Sequence, residues 1–242
     1  FLRARLSTDF TYRKNENETS STRPLAFGPS GGFSMSNEIF SILYGDLLLT
    51  YRKKLTDEVT LSAMAGYTAN KESYSSISRG TNGGLSTENL FDIVASVNLP
   101  NNGSRRTSQV IDAALGTVNF DYKGFWFLEG TIRRDRTSTM NPDNNAFVYP
   151  SANTSFILSD AIELPGFINL AKFRGSWGIV GNYPDVYRAN IAYNQNTLGV
   201  QQTGGSPVLY TNISSSFGND LIRPEQKHEF ELGFEGRFLQ GR

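Results

Sequence analysis

The chain contains no cysteine and a single histidine, His228. Disulfides, thiolate nucleophiles and cysteine-ligated metal sites are therefore excluded from these residues, and one imidazole cannot build a histidine-rich metal centre. Long apolar runs are also missing. Hydrophobic residues make up 38% of the chain and the mean hydropathy is −0.36. No stretch approaches the ~18–20 apolar residues that a membrane-spanning helix needs. Charge of one sign is not in excess, with 23 Lys+Arg against 23 Asp+Glu, so the basic footprint of a nucleic-acid binder is absent. No basic leader with an apolar stretch and small-residue cleavage site opens these residues. What is plentiful is Gly (23), Phe (17) and Tyr (11), set among many Asn, Ser and Thr. This is the composition of an all-β chain with polar connections.

Period-2 alternation, the mark of a strand whose two faces meet different surroundings, recurs in six segments. They run over Leu2–Tyr12, Gly45–Arg52, Val59–Asn70, Trp126–Asp135 (with its apolar positions Trp126, Leu128, Gly130 and Ile132), Ala171–Ile179 and Glu229–Phe238. Two weaker strands are expected at Val110–Tyr122 and Tyr149–Leu158. In the six clear segments the apolar register holds no charge in 30 positions, and the other register holds 14 charges in 28. One face avoids charge and the other carries both signs. A soluble sandwich produces this pattern with its core on the uncharged face. A membrane barrel produces it with lipid on that face and a wet lumen on the other. Alternation alone leaves both open.

The connections separate the two. Short links fall at Leu55–Glu58, Lys123–Gly124 and, less tightly, Asp160–Phe167, with another turn at Leu239–Arg242. Between them lie polar segments at Arg13–Ser36, Glu72–Ser108, Thr139–Val148 and Gly181–Gln226, expected as long loops. In an antiparallel meander this puts tight turns at one end and large loops at the other, as in outer-membrane barrels. Aromatics gather toward both ends: Tyr51, Tyr122, Phe125, Trp126, Phe234 and Phe238 at the tight turns, and Phe10, Tyr12, Tyr67 and Trp177 toward the loops. Barrels carry such girdles, although aromatics favour strands in any case.

Four motifs in order carry a family resemblance. Asp121-Tyr122-Lys123-Gly124-Phe125-Trp126, continuing to Arg133-Arg134-Asp135-Arg136-Thr137-Ser138, resembles a barrel hairpin of the SusC/RagA-like TonB-dependent transporters. That family's strand ends Arg-x-Asp-Gly-Ser-Ser, and Arg136-Thr137 stands here in place of Gly-Ser. Tyr149-Pro150-Ser151 resembles the Phe-Pro-Ser opening of the next strand. Lys172-Phe173-Arg174-Gly175-Ser176-Trp177-Gly178-Ile179-Val180-Gly181-Asn182 and Arg223-Pro224-Glu225 leading to Glu231-Leu232-Gly233 resemble two further motifs. The matches cover roughly the second half of the chain; the first half fits by pattern only.

The resemblance implies an all-β fold: an antiparallel meander forming part of a transmembrane β-barrel, with short periplasmic turns and long extracellular loops. Family members are 22-stranded barrels with an N-terminal plug. Residues 1–242 are accordingly expected to be a partial barrel domain of about eight strands, with the plug, the N-terminus and the C-terminal strand outside it. The implied function is active import of bulky nutrients, glycans or oligopeptides, across the outer membrane of a Gram-negative bacterium. The implied partners are outer-membrane lipids, TonB, a SusD-like surface lipoprotein and the cargo. Two alternatives are a soluble carbohydrate-binding β-sandwich and a hydrolase embedded in a barrel and built on His228.

No catalytic, cofactor-binding or metal-binding residue is assigned, no cofactor is expected, and the substrate-binding residues are not identified. His228 falls on the apolar register near the start of the last strand and reads as an interfacial side chain. Asn141-Pro142-Asp143-Asn144-Asn145 lacks the ligand spacing of a calcium loop and reads as an Asx-rich turn. Gly31-Gly32, Gly83-Gly84 and Gly204-Gly205 read as flexible loop tips, and a short helical turn is expected around Glu163. Arg133, Asp135, Lys172, Arg174, Glu229, Glu231 and Arg237 fall on the charged face, where mutual pairing accounts for them without a transport role. Tyr187, Tyr193 and Tyr210, in the longest polar segment, are candidates for stacking on sugars or for meeting a lid protein.

Overall fold

The computed structural model describes residues 1–189, 193–198, 208–213, 218–219 and 221–239. Its strands are β1 (Leu2–Thr19), β2 (Gly32–Lys54), β3 (Val59–Leu85), β4 (Ser96–Tyr122), β5 (Trp126–Thr137), β6 (Ala146–Ile157), β7 (Ile168–Asn182), β8 (Tyr193–Leu198), β9 (Val208–Ile213) and β10 (Glu225–Phe238). One turn of helix, α1 (Leu158–Ala161), follows β6. Eight strands form one sheet in the order β1-β2-β3-β4-β5-β6-β7-β10, and β8 pairs with β9 as a separate antiparallel hairpin. All eight expected strands are present, in an antiparallel meander. The chain divides into two compact units: one of residues Phe1–Arg5, Gly45–Ala69 and Val110–Arg242, and one of Leu6–Tyr44 and Asn70–Gln109.

In the first unit the apolar registers of neighbouring strands lie opposite one another. Phe120, Val118 and Gly116 on β4 pair with Leu128, Gly130 and Ile132 on β5. Trp177, Gly175 and Phe173 on β7 pair with Phe230, Leu232 and Phe234 on β10. Since side chains alternate along a strand, this register puts these uncharged positions on one face. The hairpin between β4 and β5 turns through Lys123 (φ 54°) and Gly124 (φ 74°). Successive positive φ values give a turn whose twist matches the strands. Asp121 Oδ1 accepts from the Gly124 N–H at 2.9 Å. The Lys123 ammonium meets Glu58 at 2.8 Å, tying this turn to the tight 55–58 link; the Glu58 carboxylate raises the Lys123 pKa above its ordinary value.

The second unit corrects the sequence reading. The polar segments 13–36 and 72–108 were expected to be loops, yet β1, β2, β3 and β4 run far into both, leaving 20–31 and 86–95 as the connections. Within these polar segments the strands keep no sustained apolar face, so the periodicity is silent there. Cross-strand polar contacts run along them instead. The Tyr12 hydroxyl donates to Asn37 Oδ1 at 3.0 Å, Arg13 meets Glu38 at 3.5 Å, and Gln109 Nε2 donates to Glu72 Oε2 at 2.7 Å. The two connections are joined by Leu25 N–H to Glu88 Oε1 (2.7 Å) and Ser21 N–H to Asn89 Oδ1 (2.8 Å).

The glycine pairs described here are not loose tips. Gly83 and Gly84 end β3 with φ of 79° and 97°, and a Cβ on Gly84 would stand 3.0 Å from Pro29. Gly31 has φ 76°, and its Cβ would lie 2.7 Å from the Thr19 carbonyl oxygen. Gly204-Gly205 lie outside the described residues. The expected helical turn is α1, which precedes Glu163 because the chain is extended again from Ile162. The 181–226 segment contains β8 and β9 and is not a single open loop. Asn141 accepts the Asp143 N–H at 3.2 Å on its side chain, making the expected Asx turn.

Candidate transport wall

The two faces of the first unit differ as their residues dictate. On the uncharged face large apolar side chains are bare: Phe230 is 82% exposed, Leu232 91% and Ile132 55%. A sandwich would cover this face with a second sheet, and among the described residues none does. Among the described residues, the buried apolar ones of this unit are few, namely Ala113, Met140, Tyr149, Ala171 and Ala189.

The charge-free stretch has a measurable height. On β4 it runs from Tyr122 to Ala114, and on β5 from Trp126 to Ile132. Nine residues at ~3.3 Å each, tilted ~40°, rise roughly 20–25 Å, close to the ~25 Å apolar band of an outer-membrane barrel. At the tight-turn edge the rings cluster edge-to-face: Tyr122 with Phe125 at 5.4 Å, Phe125 with Phe156 at 5.7 Å and Trp126 with Phe156 at 6.5 Å. Trp126 Nε1 donates to Thr154 Oγ1 at 3.1 Å. This satisfies an indole N–H on an otherwise apolar face.

At the other edge, charge returns abruptly. Asp112 is paired in register with Arg136, and Arg134 stands between Ala114 and Val148 on its neighbouring strands. The Tyr67 hydroxyl donates to Asp112 Oδ2 at 2.6 Å, and Arg136 Nη2 meets the same oxygen at 2.9 Å. The sequence reading missed this cluster. Its signal was the end of the apolar register after Ile132, followed by two arginines in step with it.

The opposite face is polar. It forms a concavity of ≈ 640 Å³ bordered by Arg52, Asp121, Glu129, Lys172, Arg174 and Glu231. Of the charges expected on this face, Arg133 pairs with the buried Asp135 at 2.6 Å, Glu229 pairs with Lys227, and Arg237 approaches Glu235 at 3.9 Å. Lys172, Arg174 and Glu231 face the concavity without a hydrogen bond or ion pair among the described residues. Asp46, missed as a paired site, is buried and receives Arg5 at 2.7 Å and Arg3 at 3.8 Å. Beyond β7, the Tyr183 ring packs edge-on against Tyr149 at 6.4 Å. Burial first, and the Tyr149 hydroxyl second, push the Tyr183 hydroxyl pKa well up.

His228 is exposed on β10, opposite Ile179 and on the apolar register, as expected. It makes no hydrogen bond among the described residues. Tyr187 is exposed with a left-handed φ of 67°. The side chains of Tyr193 and Tyr210 lie outside the described residues. Among the described residues no group of three or more metal-type ligands forms.

No protein-family model matches the chain. In sequence it is similar to TonB-dependent receptor P39 of Formosa agariphila, with 25% identity over 182 residues, which is 72% of this chain and 17% of that receptor. In structure the whole chain superposes on the RagAB peptide transporter with a TM-score of 0.83 and 15% identity, covering 26% of that chain. The closed-closed state of the RagAB peptide importer gives 0.84 at the same identity and coverage. The chain thus spans about a sixth to a quarter of these relatives. The shared fold is that of a barrel wall, and the resemblance to SusC/RagA-like TonB-dependent transporters holds in both sequence and fold.

Proposed function

We propose that the chain is a wall segment of an outer-membrane importer that takes up bulky polar nutrients, oligopeptides or glycans, with energy delivered through TonB. Residues 1–242 form a partial barrel domain. The uncharged face meets lipid, the polar concavity lines the lumen, the tight turns face the periplasm and the long connections face outward. The single observation carrying this reading is the bare, charge-free face of membrane height backed by a charged concavity. The likeness to a TonB-dependent receptor and to the RagAB peptide transporter supports it. On this reading the wall catalyses no reaction and needs no cofactor. Its charges set a wet, mixed-sign surface past which cargo moves, and a SusD-like lipoprotein closes the outer mouth.

The test is uptake in the native host. Deleting the full-length gene is expected to abolish import of fluorescent oligopeptides or glycans, as is collapsing the proton-motive force. Uptake persisting in the deletion strain, or a full-length product found in the aqueous fraction, overturns the reading.

A further inference from the structure

Beside the charge cluster at the upper edge of the apolar band, the uncharged face is not smooth. A groove of ≈ 600 Å³ is sunk into it, walled by Leu49, Tyr51 and Ile132 and floored where Ala63, Gly116 and Gly130 carry little or no side chain. A Cβ on Gly130 would meet nothing within 4 Å, so the floor there is open. Gly116 pairs with Ile132, and two residues further along the same strands Ala114 pairs with Arg134, followed by Asp112 with Arg136. The groove therefore leads within about 7 Å, the length of two strand residues, to Arg134, which is exposed and lies within electrostatic reach of Asp112 without a direct ion pair to it. Arg136 beside it is already held by Asp112. The two arginines against one aspartate leave the rim cationic, one register step beyond the groove.

We propose that this groove and rim form a binding site for the acylated, phosphorylated glucosamine lipid of the outer leaflet, lipid A. An acyl chain lies over Gly130 and Gly116, and a phosphate meets Arg134. This rests on the reading that the uncharged face contacts the outer membrane with its charge-bearing edge outward. Charge complementarity selects the occupant. A neutral lipid would leave the surplus positive charge of Arg134 and Arg136 over Asp112 unbalanced at the edge of the hydrocarbon, whereas an anionic headgroup offsets it.

The test uses the full-length protein in mild detergent, with retention of added lipid read by native mass spectrometry. The probes are lipid A monophosphate, its dephosphorylated form and phosphatidylglycerol. Wild type is expected to retain the monophosphate about five-fold or more over both controls. Arg134→Glu is expected to abolish that preference. Gly130→Phe, which fills open space and leaves the arginine intact, is expected to cut retention of both lipid A forms by a similar factor. A heat-modifiable band on gels confirms that each variant is a folded barrel. Equal retention of phosphatidylglycerol, or variants that behave as wild type in a heat-modifiable barrel, overturns the site alone. A full-length protein that is soluble without detergent and not heat-modifiable overturns the membrane reading, and the site with it.

Discussion

At the scale of single residues, glycines show how the same amino acid serves different ends. Gly84 combines a φ of 97° with a Cβ position 3.0 Å from Pro29. Gly84→Ala therefore costs both a strained backbone and a steric shift, together about 1–3 kcal/mol. Gly130 has an ordinary strand φ and open space, so Gly130→Ala is expected to change stability by less than ~0.5 kcal/mol. Urea unfolding of the two full-length variants in lipid vesicles separates them, and equal midpoints would contradict the packing described. Tyr183 supplies a second prediction. Its pKa is raised in the folded chain, so the folded state holds that proton more tightly than the unfolded state. The contribution is complete below the ordinary tyrosine value of 10.0 and declines as pH rises above it. Tyrosinate absorbance at 295 nm is expected to show no loss of amplitude near pH 10 when Tyr183→Phe is compared with wild type. A reduced amplitude would mean that the hydroxyl is titrating freely.

At the scale of elements, the alternating stretches were legible and the purely polar ones were not. Leu232, Phe230 and Trp177 reveal their strands because one face must stay free of charge over the height of the band. Asn15, Ser36 and Gln109 reveal nothing, because strands wetted on both faces have no period to display, although their backbones pair equally well. Helical turn α1 was misplaced by a few residues because four residues carry too little signal to fix a boundary. The face assignment predicts opposite outcomes for one substitution at neighbouring heights. Leu232→Arg puts a cation amid the apolar band and is expected to cost ~2–4 kcal/mol, as at mid-bilayer positions. Ser176→Arg, opposite Glu231 on the polar face, is expected to stay within ~0.5 kcal/mol. The same vesicle-unfolding measurement reads both, and a tolerated Leu232→Arg would show that the uncharged face does not contact lipid.

At the scale of the whole molecule, the family resemblance is legible in four ordered motifs and the uneven links. The sequence left the contacts of the polar face unread, because Lys172, Arg174 and Glu231 look the same in sequence whether they meet cargo, plug or water. The orientation proposed from the links can be tested without knowing the cargo. The chain has no cysteine, so single cysteines can be placed by design in a cysteine-free full-length background. On the proposed reading, Asp57, exposed in the tight 55–58 link, falls at the periplasmic end, and Thr22 and Asp143, exposed in longer connections, at the outer one. A maleimide too large and polar to cross the outer membrane is expected to label cysteine at 22 and 143 on intact cells. Cysteine at 57 is expected to react only after the outer membrane has been permeabilised. The asymmetry has a physical source: a short turn closes a hairpin at little entropic cost, while each longer connection must be held together by its own polar contacts, such as Leu25 with Glu88. Labelling at 57 on intact cells with 22 and 143 protected would invert the wall. It would also carry the cationic rim of Arg134 and Arg136 to the inner leaflet, away from lipid A.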